Sequence, residues 1–126
     1  IIPLREYAKM PYDRDILVRL IVKKEAASFD YQSVRNTQTD FPVLTCAAAK
    51  TEAGYRFAIG ARPGKAVLFE LSNEDMKDKN VENIAEYAAK CVKEQIVTGS
   101  NTRGSAEYRN HLAGVLVRRA VCKFGE

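Results

Sequence analysis

An α+β fold, an antiparallel sheet with helices packed on one of its faces, is what three features of this 126-residue sequence predict. The first half alternates apolar and polar residues at period two. The last third switches to a helical period, and short turn motifs rather than long linkers separate the segments. Strands first and helices last excludes a parallel βαβ order.

Residues 1–14 carry a sparse apolar set (Ile1, Ile2, Leu4, Tyr7, Met10) closed by Pro11, which reads as a lead-in that docks elsewhere or as a helical turn. Residues 15–24 are expected to form a strand. Ile16, Val18, Leu20 and Val22 point one way, Arg19 and Lys23 the other, and β-branched content favours extended chain. Leu17 and Ile21 on the second side suggest that this side is partly covered as well. A second strand spans about 29–34, the polar stretch 35–40 follows, and 41–50 resumes as a strand. Thr51-Glu52-Ala53-Gly54 is a turn with Gly54 at the positive-φ position, and Tyr55, Phe57, Ile59 and Ala61 complete a hairpin. Arg62-Pro63-Gly64-Lys65 turns again into a short strand over 66–70.

Val81, Ile84, Ala85, Ala88, Cys91, Val92 and Ile96 then recur at helical spacing, with Asn80 as N-cap and Thr98-Gly99 as the stop. A second helix is expected over 106–123, apolar at Leu112, Ala113, Leu116, Val117, Ala120 and Val121. Ser105 caps it, Glu107 sits at its positive end, and Arg118, Arg119 and Lys123 sit at its negative end.

Composition excludes several function classes. A hydrophobic share of 46% against 29% charged residues is that of an ordinary soluble domain, and no apolar run approaches the ~20 residues of a membrane span. Residues 43–49 are too short and too small for a signal-peptide core. The net charge of +4 is spread among acids without a run of like charges, which argues against nucleic-acid binding. Cys46, Cys91 and Cys122 are far apart and there is one histidine, so no structural zinc or iron–sulfur spacing exists; reduced, buried thiols and a cytoplasmic home are expected. The opening Ile-Ile-Pro-Leu suggests an excised piece of a longer protein.

No catalytic set is visible. His111 lacks a carboxylate at an orienting spacing, and the acid pairs Asp13/Asp15 and Glu74/Asp75 read as caps or solvated surface. No serine has a nucleophile-elbow context, and Arg62–Lys65 lacks the strand-to-helix glycine loop of a phosphate site. Two segments stand out. Residues 31–42 place six polar residues between two strands, a loop able to donate hydrogen bonds to a ligand or neighbouring domain. Residues 102–113 form a capped helix start whose Tyr108 and Arg109 flank the apolar face, and a domain lock with Arg109 bonding back onto a loop explains them as well as a ligand does.

The helix opening Gly104-Ser105-Ala106-Glu107-Tyr108-Arg109 and running to Leu116-Val117-Arg118-Arg119-Ala120-Val121 resembles the end of the flavin-binding (medium) subunit of molybdenum hydroxylases. That family includes xanthine dehydrogenases, carbon monoxide dehydrogenase and 4-hydroxybenzoyl-CoA reductase. The loop closing on Asp40-Phe41-Pro42, the Ala-rich strand and the Gly54 hairpin fit the same order, over nearly all of 12–124. The resemblance implies a carbon monoxide dehydrogenase flavoprotein C-terminal-domain-like fold over 15–126, with 1–14 a lead-in from a preceding FAD domain. It implies an accessory domain that covers FAD and docks its subunit, FAD itself being held mainly by that N-terminal domain. Electrons would pass from molybdopterin through iron–sulfur clusters on partner subunits to FAD and on to an acceptor, with no nucleic acid or membrane involved. In several relatives a lysine and other basic residues of the loop matching 31–40 lie near the flavin. Gln32 stands about where that lysine falls and Arg35 is the one cation of the loop, so these two are the implied cofactor-binding residues. The alternative from a different class is a free-standing, non-catalytic interaction or oligomerisation module.

Overall fold

The computed structural model describes residues 1–11, 14–24 and 27–125. In chain order it contains a short helix α1 (Leu4–Tyr7), strands β1 (Ser28–Val34), β2 (Leu44–Thr51), β3 (Gly54–Gly60) and β4 (Val67–Ser72), and helices α2 (Val81–Gln95) and α3 (Ala106–Lys123). The strands make one antiparallel meander in the order β1-β2-β3-β4. This is the α+β architecture that the change of period predicts.

Alternation assigns each strand an inner and an outer side. Leu44, Cys46 and Ala48 of β2, Tyr55, Phe57 and Ile59 of β3, and Phe69 and Leu71 of β4 are buried and join the apolar side of α2 and α3 in one core. Its strand rows are in register, Ala48 opposite Phe57 and Phe57 opposite Phe69, and the last pair stacks at 5.8 Å. The two helices approach closely because Gly114 faces α2: a Cβ there would lie 2.3 Å from Lys93 Cε and 3.3 Å from the Ala89 carbonyl oxygen. Helix starts follow the sequence, with Asn80 accepting from the Asn83 amide and Ser105 from the Tyr108 amide.

Neither long helix lies on the outer side of the sheet, which α1 reaches through Arg5 to Glu70 at 3.8 Å. In one cross-strand row Tyr31 pairs with Ala47, Ala47 with Ala58, and Ala58 with Leu68. In the next, Phe29 pairs with Ala49, Ala49 with Arg56, and Arg56 with Glu70. Phe29 and Tyr31 leave 70% and 62% of their surface exposed. The outer side thus sets three alanines of β2 and β3 beside the exposed rings of Phe29 and Tyr31 on the β1 edge.

Two expectations are corrected. Residues 15–24 are not a strand: the described segment 14–24 has no secondary structure and its apolar residues are exposed, because no strand of this chain pairs with it and no layer covers it. The second predicted stretch starts at Leu44 rather than at 41, since the backbone turns through Asp40–Val43 to bring Phe41 outward. Of the three thiols only Cys46 is buried; Cys91 and Cys122 are half-buried on the helix sides.

Candidate functional site

β1 and β3 both end at the edge of the sheet where β2 begins, so the β1–β2 connection (35–43) and the β3–β4 connection (61–66) share one end of the molecule. The α2–α3 connection (96–105) joins them through hydrogen bonds: the Gly99 amide donates to the Arg62 carbonyl at 2.7 Å, and Arg62 Nη1 donates to the Val97 carbonyl at 2.5 Å.

Arg109 fastens this assembly. It enters from the first turn of α3 with none of its surface exposed. Nε donates to the Val43 carbonyl at 2.8 Å, Nη1 to the carbonyls of Gly99 (2.7 Å) and Gly104, and Nη2 to Asn101 Oδ1 at 2.5 Å. Carbonyl dipoles, not a carboxylate, therefore receive the guanidinium, whose planar fork suits several fixed acceptors at once. Burial, and secondarily the like charge of Arg103, push its pKa down. Asn101 and Gly104 bridge each other's backbones to shape the receiving loop. Gly104 sits where a Cβ would come within 3.2 Å of Val43 Cγ1. Of the two readings that the 102–113 motif left open, lock or ligand, the structure contains the back-bonding lock.

Outside the lock lies a polar rim. Arg103 Nε meets Asp40 Oδ1 at 3.2 Å and its guanidinium carbon lies 5.1 Å from the centre of the Phe41 ring. Asn36 donates to the Arg103 carbonyl at 3.2 Å, and Arg35 Nη1 to the Asp40 carbonyl at 2.5 Å. Arg35 is thus exposed at the mouth of the β1–β2 loop. Gln32 is placed differently. Its side-chain amide turns toward α3, donating to Asp30 Oδ2 at 2.7 Å and to the Leu116 carbonyl at 3.4 Å. The two candidates consequently sit on different sides of the strand end, and only Arg35 faces outward.

An ion pair that sequence reasoning missed lies at the opposite end of β1. Asp30, almost wholly buried on the inner side, receives Lys123 Nζ at 2.5 Å from the last turn of α3. The Lys123 hydrogen bond, opposed by burial and assisted by Gln32, holds the Asp30 carboxyl below its ordinary value. A charged residue at an inward strand position was the available signal, together with a basic helix end. Beside it, burial first and the Asp30 charge second push the Cys46 thiol up to about 12.

The acid pair Glu74/Asp75 is a turn device: Asp75 Oδ2 accepts from both the amide and hydroxyl of Ser72, which lowers its pKa. Asp13 of the other pair lies outside the described residues. His111 is exposed. Among the described residues no three His, Cys, Asp or Glu side chains gather as a metal site, and no helix is long and apolar enough to cross a membrane. A wide, open depression of about 670 Å³ follows Val115, Arg118, Arg119, Cys122 and Lys123 toward the far end of α3, away from the loop assembly.

Comparison with known proteins gives a consistent result. Residues 29–124 match the family model of the CO dehydrogenase flavoprotein C-terminal domain. The uncharacterized protein YgfM of Escherichia coli (strain K12) is 30% identical over 115 residues, covering 90% of this chain and 42% of that protein. Quinoline 2-oxidoreductase from Pseudomonas putida 86 superposes on 79% of this chain and 37% of its own, with a TM-score of 0.63 and 21% identity. A Cu,Mo-CO dehydrogenase superposes on 78% of this chain and 36% of its own, with a TM-score of 0.60 and 18% identity. The chain thus spans about two fifths of the length of its curated relative.

Proposed function

The chain belongs to the CO dehydrogenase flavoprotein C-terminal domain family, and from that premise we propose that it is the accessory domain of a flavin subunit in a molybdenum hydroxylase. Its task in that reading is to cover FAD and to seat the subunit against partners carrying molybdopterin and iron–sulfur clusters. When bound, FAD would supply the acceptor chemistry that links those centres to an external oxidant.

The residues present fit a covering role and not a phosphate-holding one. The sequence has no glycine-rich phosphate loop. What it offers is the bare side of the sheet, where Phe29 and Tyr31 stand exposed on the strand that leads into the Arg35 loop. That exposed aromatic surface is the single observation that carries the reading, because contiguous exposed apolar groups mark interaction surfaces or ligand sites. Arg35 would donate to the electron-rich edge of the ring system or to a carboxylate across the domain boundary. Gln32 would act behind it, through Asp30, by fixing the end of β1. Free thiols at Cys46, Cys91 and Cys122 support a cytoplasmic place.

The test is spectroscopic. The complete encoded subunit should purify yellow with the absorbance of oxidised flavin, whereas this chain alone should bind FAD weakly or not at all. Tyr31→Ala and Arg35→Ala in the subunit should raise the fluorescence of bound flavin or its rate of loss. A colourless subunit overturns the proposal. The same bare side also favours a second reading, a self-association module, which predicts a stable dimer of this chain in sedimentation.

A further inference from the structure

One motif of the sequence is left unused by the fold. Residues 15–24 alternate as a strand does and contain no proline or glycine, so every backbone donor is available to a ladder. Yet Ile16, Leu17, Val18, Leu20, Ile21 and Val22 expose between 60% and 87% of their surface. Scattered apolar residues on a surface are ordinary, but six within seven positions are not. The segment is apolar on both sides, a pattern belonging to strands covered above and below. This chain cannot provide that setting. Pairing with the free edge of β1 would extend a sheet whose outer side is bare, leaving half of the apolar set in water.

The comparisons separate the segment from the domain in the same way. The family model begins at 29, and the solved structures superpose on 77–79% of the chain, about the extent of that model. The relative matched by sequence reaches 90% of the chain. Only 30 residues lie outside 29–124 and two of them follow it, so roughly half or more of the first 28 must be matched. Residues before β1 are therefore shared with a protein more than twice as long, while lying outside the stretch matched by the family model.

We propose that residues 15–24 form a β-strand in a sheet contributed by another part of the same polypeptide, joining this domain to it by strand addition. The inference rests on the reading that the domain belongs to a longer flavin subunit. The boundary of the domain then falls near residue 25 rather than near 15, and the strand, not the first turn of chain, is the piece that belongs to the neighbouring domain. Lys23 and Lys24 at its end mark where the chain leaves that covered sheet for solvent.

Hydrogen–deuterium exchange of the complete encoded subunit and of this 126-residue chain tests the proposal. In the chain alone the amides of 16–23 should exchange at nearly unprotected rates. In the subunit they should be slowed by at least about a thousandfold, into the range of β2. Leu20→Pro should abolish that slowing in the subunit and leave the melting temperature of the isolated chain unchanged. Unprotected amides in the subunit overturn the proposal. So does protection in the isolated chain, whether within one molecule or through a dimer seen in sedimentation. Flavin content is read separately: a yellow subunit with exposed 16–23 sinks the strand alone, and a colourless one with protected 16–23 sinks only the flavin assignment.

Discussion

Arg109 illustrates how much a single side chain can hold. Four hydrogen bonds tie α3 to the β1–β2 and α2–α3 connections, and all four are lost at once if the guanidinium is removed. Arg109→Met should lower unfolding free energy by about 3 kcal/mol, measured by urea titration, with the β1–β2 and α2–α3 loops becoming protease-sensitive. Arg109→Lys should recover only a small part, since one ammonium cannot serve acceptors spread across a fork. This lock was half legible: the Ser-capped helix start singled out Arg109, but the sequence did not decide between a loop and a ligand as its partner. The Asp30–Lys123 pair was not, since its partners lie 93 positions apart and their meeting depends on how α3 crosses β1.

That pair sets an acid limit. Asp30 is held below the ordinary carboxylate value of 3.8, so its stabilisation is fully present above that value and is lost as pH falls toward the depressed one. Stability should fall from about pH 4 downward, and Asp30→Asn should flatten that part of the profile in pH-dependent denaturation. Cys46, with its thiol near 12, should resist iodoacetamide at pH 8 in the folded protein and react after denaturation.

Elements show where local pattern suffices and where it fails. Both long helices, their N-caps and three of the four strands follow from period and turn chemistry, which depend on neighbours in sequence, whereas α2 stops at Gln95, short of the expected Thr98-Gly99. Residues 15–24 carry an equally good strand pattern and form none, because a strand needs a partner and the pattern does not say which chain segment provides it. Close approaches between elements are equally silent in a sequence. Gly114→Ala should be nearly neutral, as the flexible Lys93 side chain can swing aside and alanine favours helix. Gly114→Leu should cost about 1–3 kcal/mol in thermal or urea unfolding by forcing α2 and α3 apart. Gly54, at φ 134° with a Cβ position 2.1 Å from the Leu71 carbonyl oxygen, should not tolerate even alanine: Gly54→Ala should lose about 2 kcal/mol or more in the same measurement.

At the scale of the whole molecule, one core spans the meander and the helix pair, and among the described residues it takes no side chain from the first 24, where Arg5 meets Glu70 and the Met10 carbonyl accepts from Lys65 at the surface. Deleting residues 1–24 should therefore change the unfolding free energy by less than about 1 kcal/mol, tested by urea titration of the shortened chain.

The meander has a kinetic consequence. Each sheet neighbour is also the next strand in sequence, so β1 to β4 can zip by successive short loop closures, and α2 and α3 can pair as a helical hairpin. Bonds that join the two halves, such as Arg109 to Val43 and Lys123 to Asp30, bridge 66 and 93 positions and close long loops. Docking of α3 onto β1 and β2 is then the late event. In stopped-flow chevrons, substitutions in the β2–β3 hairpin should slow folding, whereas Arg109→Met should chiefly speed unfolding. A guanidinium that arrives last acts as the latch on a fold already assembled in two parts.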